Sequence, residues 1–339
     1  MSLDTSISFI IPTYNSAKTI QECLENIIQE SKKFNSEILV IDDCSKDETE
    51  KIVKNFEEVK FYKLKKNGGV GHARNIGSRL ASNKILCYVD SDLIISRNSV
   101  KKLIQKLISD SKIGSVGGIP DPITLHKDSW SSKFVGLRSA FGFEDTVDEF
   151  NVSDAQSEFF VIYSSFLRKI GGWKYYRNAG GEEYELGHKI NLFNKQNLKL
   201  KNVTYKTYWS KLFDRFKKNI DRTEKYIPIF LNRKKFDSEG SGASLNQAIS
   251  ALLTSIIFFN IIIFFIIPSY KNLFIIILIF FLLQIFFEYK FLSYAKKIHG
   301  LKMLFYSIYG IQILNIGILF GGLFFLYNGT IKIYKKIFK

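Results

Sequence analysis

Residues 245–339 are almost continuously apolar, dominated by Ile, Leu and Phe, and no other feature narrows the possible folds as much. The run divides into three stretches, roughly 249–267, 273–292 and 303–327. Each approaches the ~20 apolar residues that a helix needs to cross a bilayer. The second is long enough only if it extends to Leu292, which places Glu288 and Lys290 near an interface. Buried helices of a soluble core are the competing reading, and stretches this uniformly apolar count against it. Basic residues precede the first stretch (Arg233, Lys234, Lys235) and the third (Lys296, Lys297), which favours the cytoplasmic side for the start of each and suits three spans. Lys332, Lys335, Lys336 and Lys339 then end outside, against the same rule. Either the final stretch re-enters or one apolar segment lies along the surface.

The apolar content of 46% therefore averages two unlike parts, and residues 1–244 read as a soluble α/β sequence. The start, Met1-Ser2-Leu3-Asp4-Thr5, lacks the basic opening of a secretory signal. The apolar run 7–11 is also shorter than a signal core of roughly 7–15 residues, so this part is expected to stay in the cytoplasm. Cys23, Cys44 and Cys87 are widely spaced and suggest reduced thiols, not a disulfide framework or a zinc cluster. The formal charge of +16 is concentrated in residues 168–235, where 18 Lys and Arg stand against 6 Asp and Glu. A basic segment adjoining apolar spans reads as contacting anionic headgroups, and no nucleic-acid partner is expected.

In the first part, short β-rich runs at 8–11, 37–41, 59–64 and 84–89 alternate with helical periodicity at 17–32, 47–56 and 70–81. Ser45 and Glu48 have capping-box spacing, which predicts a helix start just after the turn at 41–44. Such alternation predicts a mostly parallel sheet covered by helices, because parallel strands need crossover connections. Ligands then belong at the carboxyl ends of the strands. Three polar clusters fall there: Thr13-Tyr14-Asn15 after Pro12, Asp42-Asp43, and Asp90-Ser91-Asp92.

Each cluster has a chemical reading beside a plainer one. Asp90 and Asp92 offer hard oxygen ligands for Mg²⁺ or Mn²⁺, which in turn bind a diphosphate; alone, such a pair is often a solvated loop. Asp42 and Asp43 offer acceptors for a base N–H or a ribose hydroxyl, or serve as turn and cap residues. Tyr14 offers a stacking face. The glycine run 67–71 precedes a helix carrying Arg74, whose guanidinium suits phosphate or carboxylate. Glu182 and Glu183 open a helix predicted over 183–192, where a carboxylate suits either general-base work or the helix dipole. His188, one turn on, reads as packing. Within 209–227, Leu212, Phe213, Phe216, Ile220 and Ile227 form an apolar stripe flanked by Lys211, Arg215, Lys217, Lys218, Arg222 and Lys225. That pattern fits a helix at a membrane interface or a core helix with a solvated basic side.

In order along the chain, these motifs resemble the family 2 glycosyltransferases of the GT-A fold. The matching residues are Ser8 through Asn15, Val40 through Thr49, Gly71 through Gly77, Asp90-Ser91-Asp92, Ile170 through Trp173, and Gly181 through Leu186. The resemblance implies a GT-A domain over 1–205, a basic amphipathic linker over 206–244, and transmembrane helices over 245–339. It implies that Pro12, Thr13, Tyr14, Asp43, Arg74 and Asp90 serve the nucleotide-sugar donor. Asp92, with Asp90, binds Mg²⁺ or Mn²⁺. Glu183 is the implied base of an inverting displacement; the family has Glu-Asp where this chain has Glu182-Glu183, so either glutamate fits. A histidine that often completes the metal site is absent from 203–209. Arg215, Lys218 and Arg222 are expected to face acceptor and bilayer. The acceptor is a lipid or lipid-linked saccharide hydroxyl at the cytoplasmic face of the plasma membrane, or alternatively a polyprenyl phosphate. A catalytically silent membrane scaffold is the reading from outside enzymology.

Overall fold

The computed structural model describes residues 6–126, 129–144, 146–152, 158–175, 182–233, 245–267 and 272–337. It divides into two compact units: Met1–Asp121 with Phe143–Tyr208, and Pro122–Gly142 with Trp209–Lys339.

The first unit begins β1 (Ser6–Thr13), α1 (Ile20–Ser31), β2 (Asn35–Asp42), α2 (Thr49–Val53), β3 (Val59–Lys63), α3 (Val70–Leu80) and β4 (Ile85–Val89). The strands β1, β2, β3 and β4 pair in parallel, joined by crossover helices as the alternation predicts. They are buried on both faces, so successive side chains feed opposite cores: Ile7, Phe9 and Ile11 pack against α1, and Ile10, Leu39 and Ile41 lie in the core under α3. Gly77 lets α3 sit directly on β1, because a Cβ there would collide with Ile10 Cγ2. Pro12 is tolerated in this central strand because pairing with β4 stops at Ile10, so its missing N–H is not needed on that side.

Beyond β4 the sheet becomes mixed. The chain continues through β5 (Leu93–Ile95), α4 (Ser99–Ser109) and β6 (Ile113–Pro120); after α5 (Trp130–Phe141), which belongs to the second unit, come β7 (Glu149–Asn151), β8 (Phe159–Tyr163), α6 (Ser164–Lys169), α7 (Glu182–Leu192) and β9 (Gln196–Thr207). Among the described residues the sheet has nine strands, ordered β3-β2-β1-β4-β8-β6-β9-β5, with β7 on β9. Strand β8 runs antiparallel to both β4 and β6, and β5 and β7 are antiparallel to β9, while β6 and β9 pair in parallel. The physical reason is that β4 leads into the acidic turn and the short strand β5, not into a crossover helix. The Ser45–Glu48 capping box is also not formed. Glu48 caps α2 without a side-chain bond, while Ser45 Oγ is engaged by the Asp42 carboxylate and Asp47 Oδ1 receives the Thr49 N–H at 3.1 Å.

The second unit holds α5, α8 (Leu212–Arg233), α9 (Leu245–Ile266), α10 (Leu273–His299) and α11 (Leu301–Ile337). Its core gathers Phe134 and Leu137 of α5 with Trp209, Leu212, Phe291, Ala295, Met303 and Ile311. Glu288, expected near an interface, is 5% exposed in its side chain and takes a two-pronged ion pair from Arg138, at 2.6 and 2.9 Å. Ser250, Thr254, Gln284, Gln312 and Asn315 form a hydrogen-bonded cluster between α9, α10 and α11. Against α8, α11 presents Gly317 and Gly321, where a Cβ would meet Phe216 O at 2.9 Å and Ile220 O at 2.6 Å. Among the described residues three helices are long and apolar enough to cross a membrane: Leu245–Ile266, Leu273–His299 and Leu301–Gly329.

Candidate active site

The exits of β1 and β2 are laced together by side-chain bonds to backbone amides. Asn15, in the left-handed region at φ 52, donates its N–H to Ser45 Oγ at 2.8 Å and accepts the Lys46 N–H on Oδ1 at 2.8 Å. Ser16 N donates to Thr49 Oγ1 at 2.8 Å and Ala17 N to Asp47 Oδ2 at 3.0 Å. Asp42 is fully buried and spends its carboxylate on the Ser45 amide and hydroxyl, which is the turn role open to it from sequence.

These loops and the turn after β4 enclose a cleft of about 700 Å³ within the first unit. Pro12 and Tyr14 line one wall, Asp90, Ser91 and Asp92 another, with Asp47 and Tyr208 completing it. Tyr14 is 46% exposed, so its ring face is open to a planar ligand. Thr13 is buried, its Oγ1 has no hydrogen-bond partner among the described residues, and its carbonyl accepts the Asp43 N–H at 2.8 Å. Ser91 bonds to Ser16 across the cleft floor at 2.8 Å.

Asp43 and Arg74 do not line this cleft. The two Asp43 oxygens accept the amides of Gly68 and Gly69, both at 2.8 Å, so the glycine run approaches a carboxylate of the chain itself. Burial pushes the Asp43 pKa up against the pull of those two amides. Arg74 is 2% exposed and donates from Nη2 to Asp90 Oδ1 at 2.8 Å, with Nη1 3.8 Å from Glu182 Oε1. Burial of the Asp90 carboxyl pushes its pKa up to about 7, with Arg74 pulling it down and Asp92 adding to the rise. Two carboxylates whose charges oppose each other at one strand end are a donor set that a hard divalent cation relieves, so Asp90 and Asp92 fit such an ion. Among the described residues no group of three or more His, Cys, Asp and Glu side chains forms a complete metal cage.

Glu182 and Glu183 stand in the first turn of α7 and are buried, while the preceding Gly180 and Gly181 lie outside the described residues. His188 is exposed, not packed, because it falls on the outer face of α7. Arg215, Lys218 and Arg222 belong to α8 in the second unit.

Sequence reading placed Asn75, Trp173 and Asp47 in matched motifs without a role of their own, and it passed over Tyr208. Asn75 donates to Trp173 O at 2.8 Å and accepts the Trp173 N–H at 2.9 Å, which fixes the turn after α6 against α3. Only the Gly171-Gly172 pair, both at positive φ, hinted at such a close approach. Tyr208 lies within 203–209, where no histidine was found, lines the cleft and donates to Glu22 Oε2 at 2.5 Å.

Comparison with known proteins fits this arrangement. Residues 8–171 match the family model described as glycosyl transferase family 2. Poly(ribitol-phosphate) beta-N-acetylglucosaminyltransferase TarS of Staphylococcus aureus is 38% identical over 99 residues, covering 28% of this chain and 17% of the relative. Glycosyltransferase GlyG of Streptococcus pneumoniae is 32% identical over 105 residues, covering 30% of this chain and 35% of the relative. The matched segment thus spans only 17–35% of these relatives' own length. A solved structure of the mannosyltransferase PcManGT from Pyrobaculum calidifontis, in complex with GDP-Man and Mn²⁺, superposes with TM-score 0.55 at 16% identity. It covers 95% of this chain and 87% of that one. At that identity the likeness establishes the fold, which is GT-A.

Proposed function

We propose that the protein is an inverting, metal-dependent glycosyltransferase that moves a sugar from a nucleoside-diphosphate sugar to a hydroxyl of a lipid or lipid-linked saccharide at the cytoplasmic face of a membrane. The observation that carries this reading is the cleft at the strand ends, which brings the open ring of Tyr14 and the carboxylates of Asp90 and Asp92 together on a family 2 domain. Pro12, Thr13 and Tyr14 hold the nucleotide end, Tyr14 by stacking on the base, while Asp43, which does not line the cleft, holds the glycine loop through the Gly68 and Gly69 amides. Asp92, helped by Asp90, would hold Mg²⁺ or Mn²⁺, whose chemistry is to neutralise charge on the departing diphosphate. Glu183 takes the proton from the acceptor hydroxyl as its oxygen attacks the anomeric carbon from the face opposite the leaving group. Named relatives that transfer N-acetylglucosamine, and a fold neighbour complexed with GDP-Man and Mn²⁺, support donor class and metal.

A polyprenyl phosphate is the second acceptor class, favoured by Arg215, Lys218 and Arg222 on α8. An acceptor that is already anionic needs no base, so Glu183→Gln discriminates: near-complete loss of turnover with donor binding intact supports a hydroxyl acceptor. The reading as a whole is tested with Asp92→Asn, incubated with UDP- and GDP-sugars and membrane lipid extract. Loss of at least ~100-fold in product glycolipid is expected. Wild-type rates for that variant in the presence of chelator would refute it.

A further inference from the structure

Arg74 is a buried cation of the first unit on which the charges of Asp90, Glu182 and Glu183 all act. Its guanidinium is 2.8 Å from Asp90 Oδ1 and 3.8 Å from Glu182 Oε1, and lies 4.6 Å from the centre of the Trp173 ring. Trp173 is itself locked in place, edge-on to Tyr88 and Phe160 and held through its backbone by Asn75, the residue after Arg74. The position of the guanidinium is therefore set from three sides. Glu182 is 6% exposed in its side chain, and a carboxylate so enclosed needs a compensating charge. Arg74 stays charged at any pH at which the protein folds, so it is available to compensate that carboxylate.

We propose that Arg74 is a positioning residue that ties Asp90, on the donor side of the cleft, to Glu182 at the start of α7, and that Glu182 anchors this helix while Glu183 abstracts the proton. The proposal rests on the transferase reading for its catalytic half, but the Arg74–Glu182 coupling stands on geometry alone. The base role of Glu183 comes from the transferase reading, and the geometry adds the 3.8 Å approach of Glu182 to the guanidinium. Removing Arg74 leaves Asp90 and Glu182 without their shared cation, whereas removing Arg74 and the Glu182 charge together relieves part of that cost.

The test uses the full chain in detergent. Release of nucleotide from a panel of UDP- and GDP-sugars is followed with Mn²⁺, and thermal melting is followed separately on metal-depleted protein. Glu182→Gln is expected to keep turnover within about tenfold with an unmoved pH profile of kcat, because a side chain of the same shape still meets the guanidinium. Glu183→Gln is expected to lower kcat at least ~100-fold. Arg74→Gln lowers both kcat and melting temperature, the latter by about 5 °C. The Arg74→Gln/Glu182→Gln double variant melts above Arg74→Gln, and Arg74→Lys recovers part of the loss in both readouts. A Glu182→Gln variant as inactive as Glu183→Gln, with donor binding intact, overturns the division of roles. Strictly additive melting shifts overturn the coupling. A wild-type chain that turns over none of the sugars sinks the transferase reading instead, and the melting cycle still decides the Arg74–Glu182 link.

Discussion

Glu37 lies on β2 at the end of the sheet away from the cleft and holds strands together. Its Oε1 accepts from Ser8 Oγ, Ser82 N and Ser82 Oγ, all at 2.7 Å, and its Oε2 from Lys60 at 2.9 Å. Burial alone pushes its pKa up, but the bonds from Lys60, Ser8 and Ser82 outweigh that and bring it down to about 2. A carboxyl whose folded pKa lies below its unfolded value stabilises the fold above the unfolded value and loses that contribution as pH falls through the folded one. The wild-type chain is thus expected to lose stability between about pH 4.5 and pH 2, and Glu37→Gln to flatten that part of the curve. Melting temperatures of both proteins across that range decide it; parallel curves would show that Glu37 contributes nothing. None of this was legible in the sequence, because Ser8, Lys60 and Ser82 are brought to Glu37 only by parallel register. Asp90 and Asp92 were legible, since a strand end fixes where the next residues go whatever the rest of the sheet does. Asp43 was legible in place but not in its partners, because the glycine amides that bind it come from another loop.

At the scale of elements, periodicity located β1 to β4 and α1 to α3, because strands buried on both faces and helices with one apolar stripe leave a local signature. It did not reveal that β8 runs antiparallel between β4 and β6, since direction is set by how the chain returns and not by what the strand contains. Nor did it show α5 as part of the second unit, packed against α10 through Arg138 and Glu288. That pair predicts a measurable coupling. Glu288→Ala leaves the guanidinium of Arg138, 15% exposed and stacked 4.7 Å from the Phe291 ring, without its carboxylate. The expected cost is about 3–5 kcal/mol, and replacing both partners by apolar residues of similar size should restore most of it. Thermal melting in detergent of the single variants and of Arg138→Met/Glu288→Leu checks this. A double variant no better than Glu288→Ala would mean that α5 is held by its apolar contacts alone.

At the scale of the whole molecule, three helices meet the length and composition of a span, yet their surroundings differ. Late α9 and early α10 turn large apolar side chains outward, among them Phe259, Phe265, Ile266, Phe274, Ile279 and Phe286. One face of the corresponding stretch of α11 meets α8, where Phe216 and Ile220 lie on Gly317 and Gly321 and Asn328 donates to Glu224 Oε1 at 2.7 Å, while Leu323, Phe324 and Leu326 point outward. Residues 216–224 and 317–328 therefore share one depth, and in that stretch α8 exposes Lys217, Lys218 and Asp221. Charges cost at least ~2.5 kcal/mol each at the middle of a bilayer, so this paired stretch is expected in the headgroup region, where a basic amphipathic helix is at home. The expectation is then two crossings from the hairpin of α9 and α10 with α11 along the surface, one of the two outcomes that charge counting left open. Its glycines gave no warning in sequence, because small residues read equally as filler in a span and as a groove for a neighbouring helix. The expected result is that a cysteine introduced at Lys336 reacts with an impermeant maleimide from the same side of the membrane as one introduced at Lys217. Reaction from opposite sides of sealed vesicles would establish three crossings and require the charged face of α8 to find its partners within the bilayer.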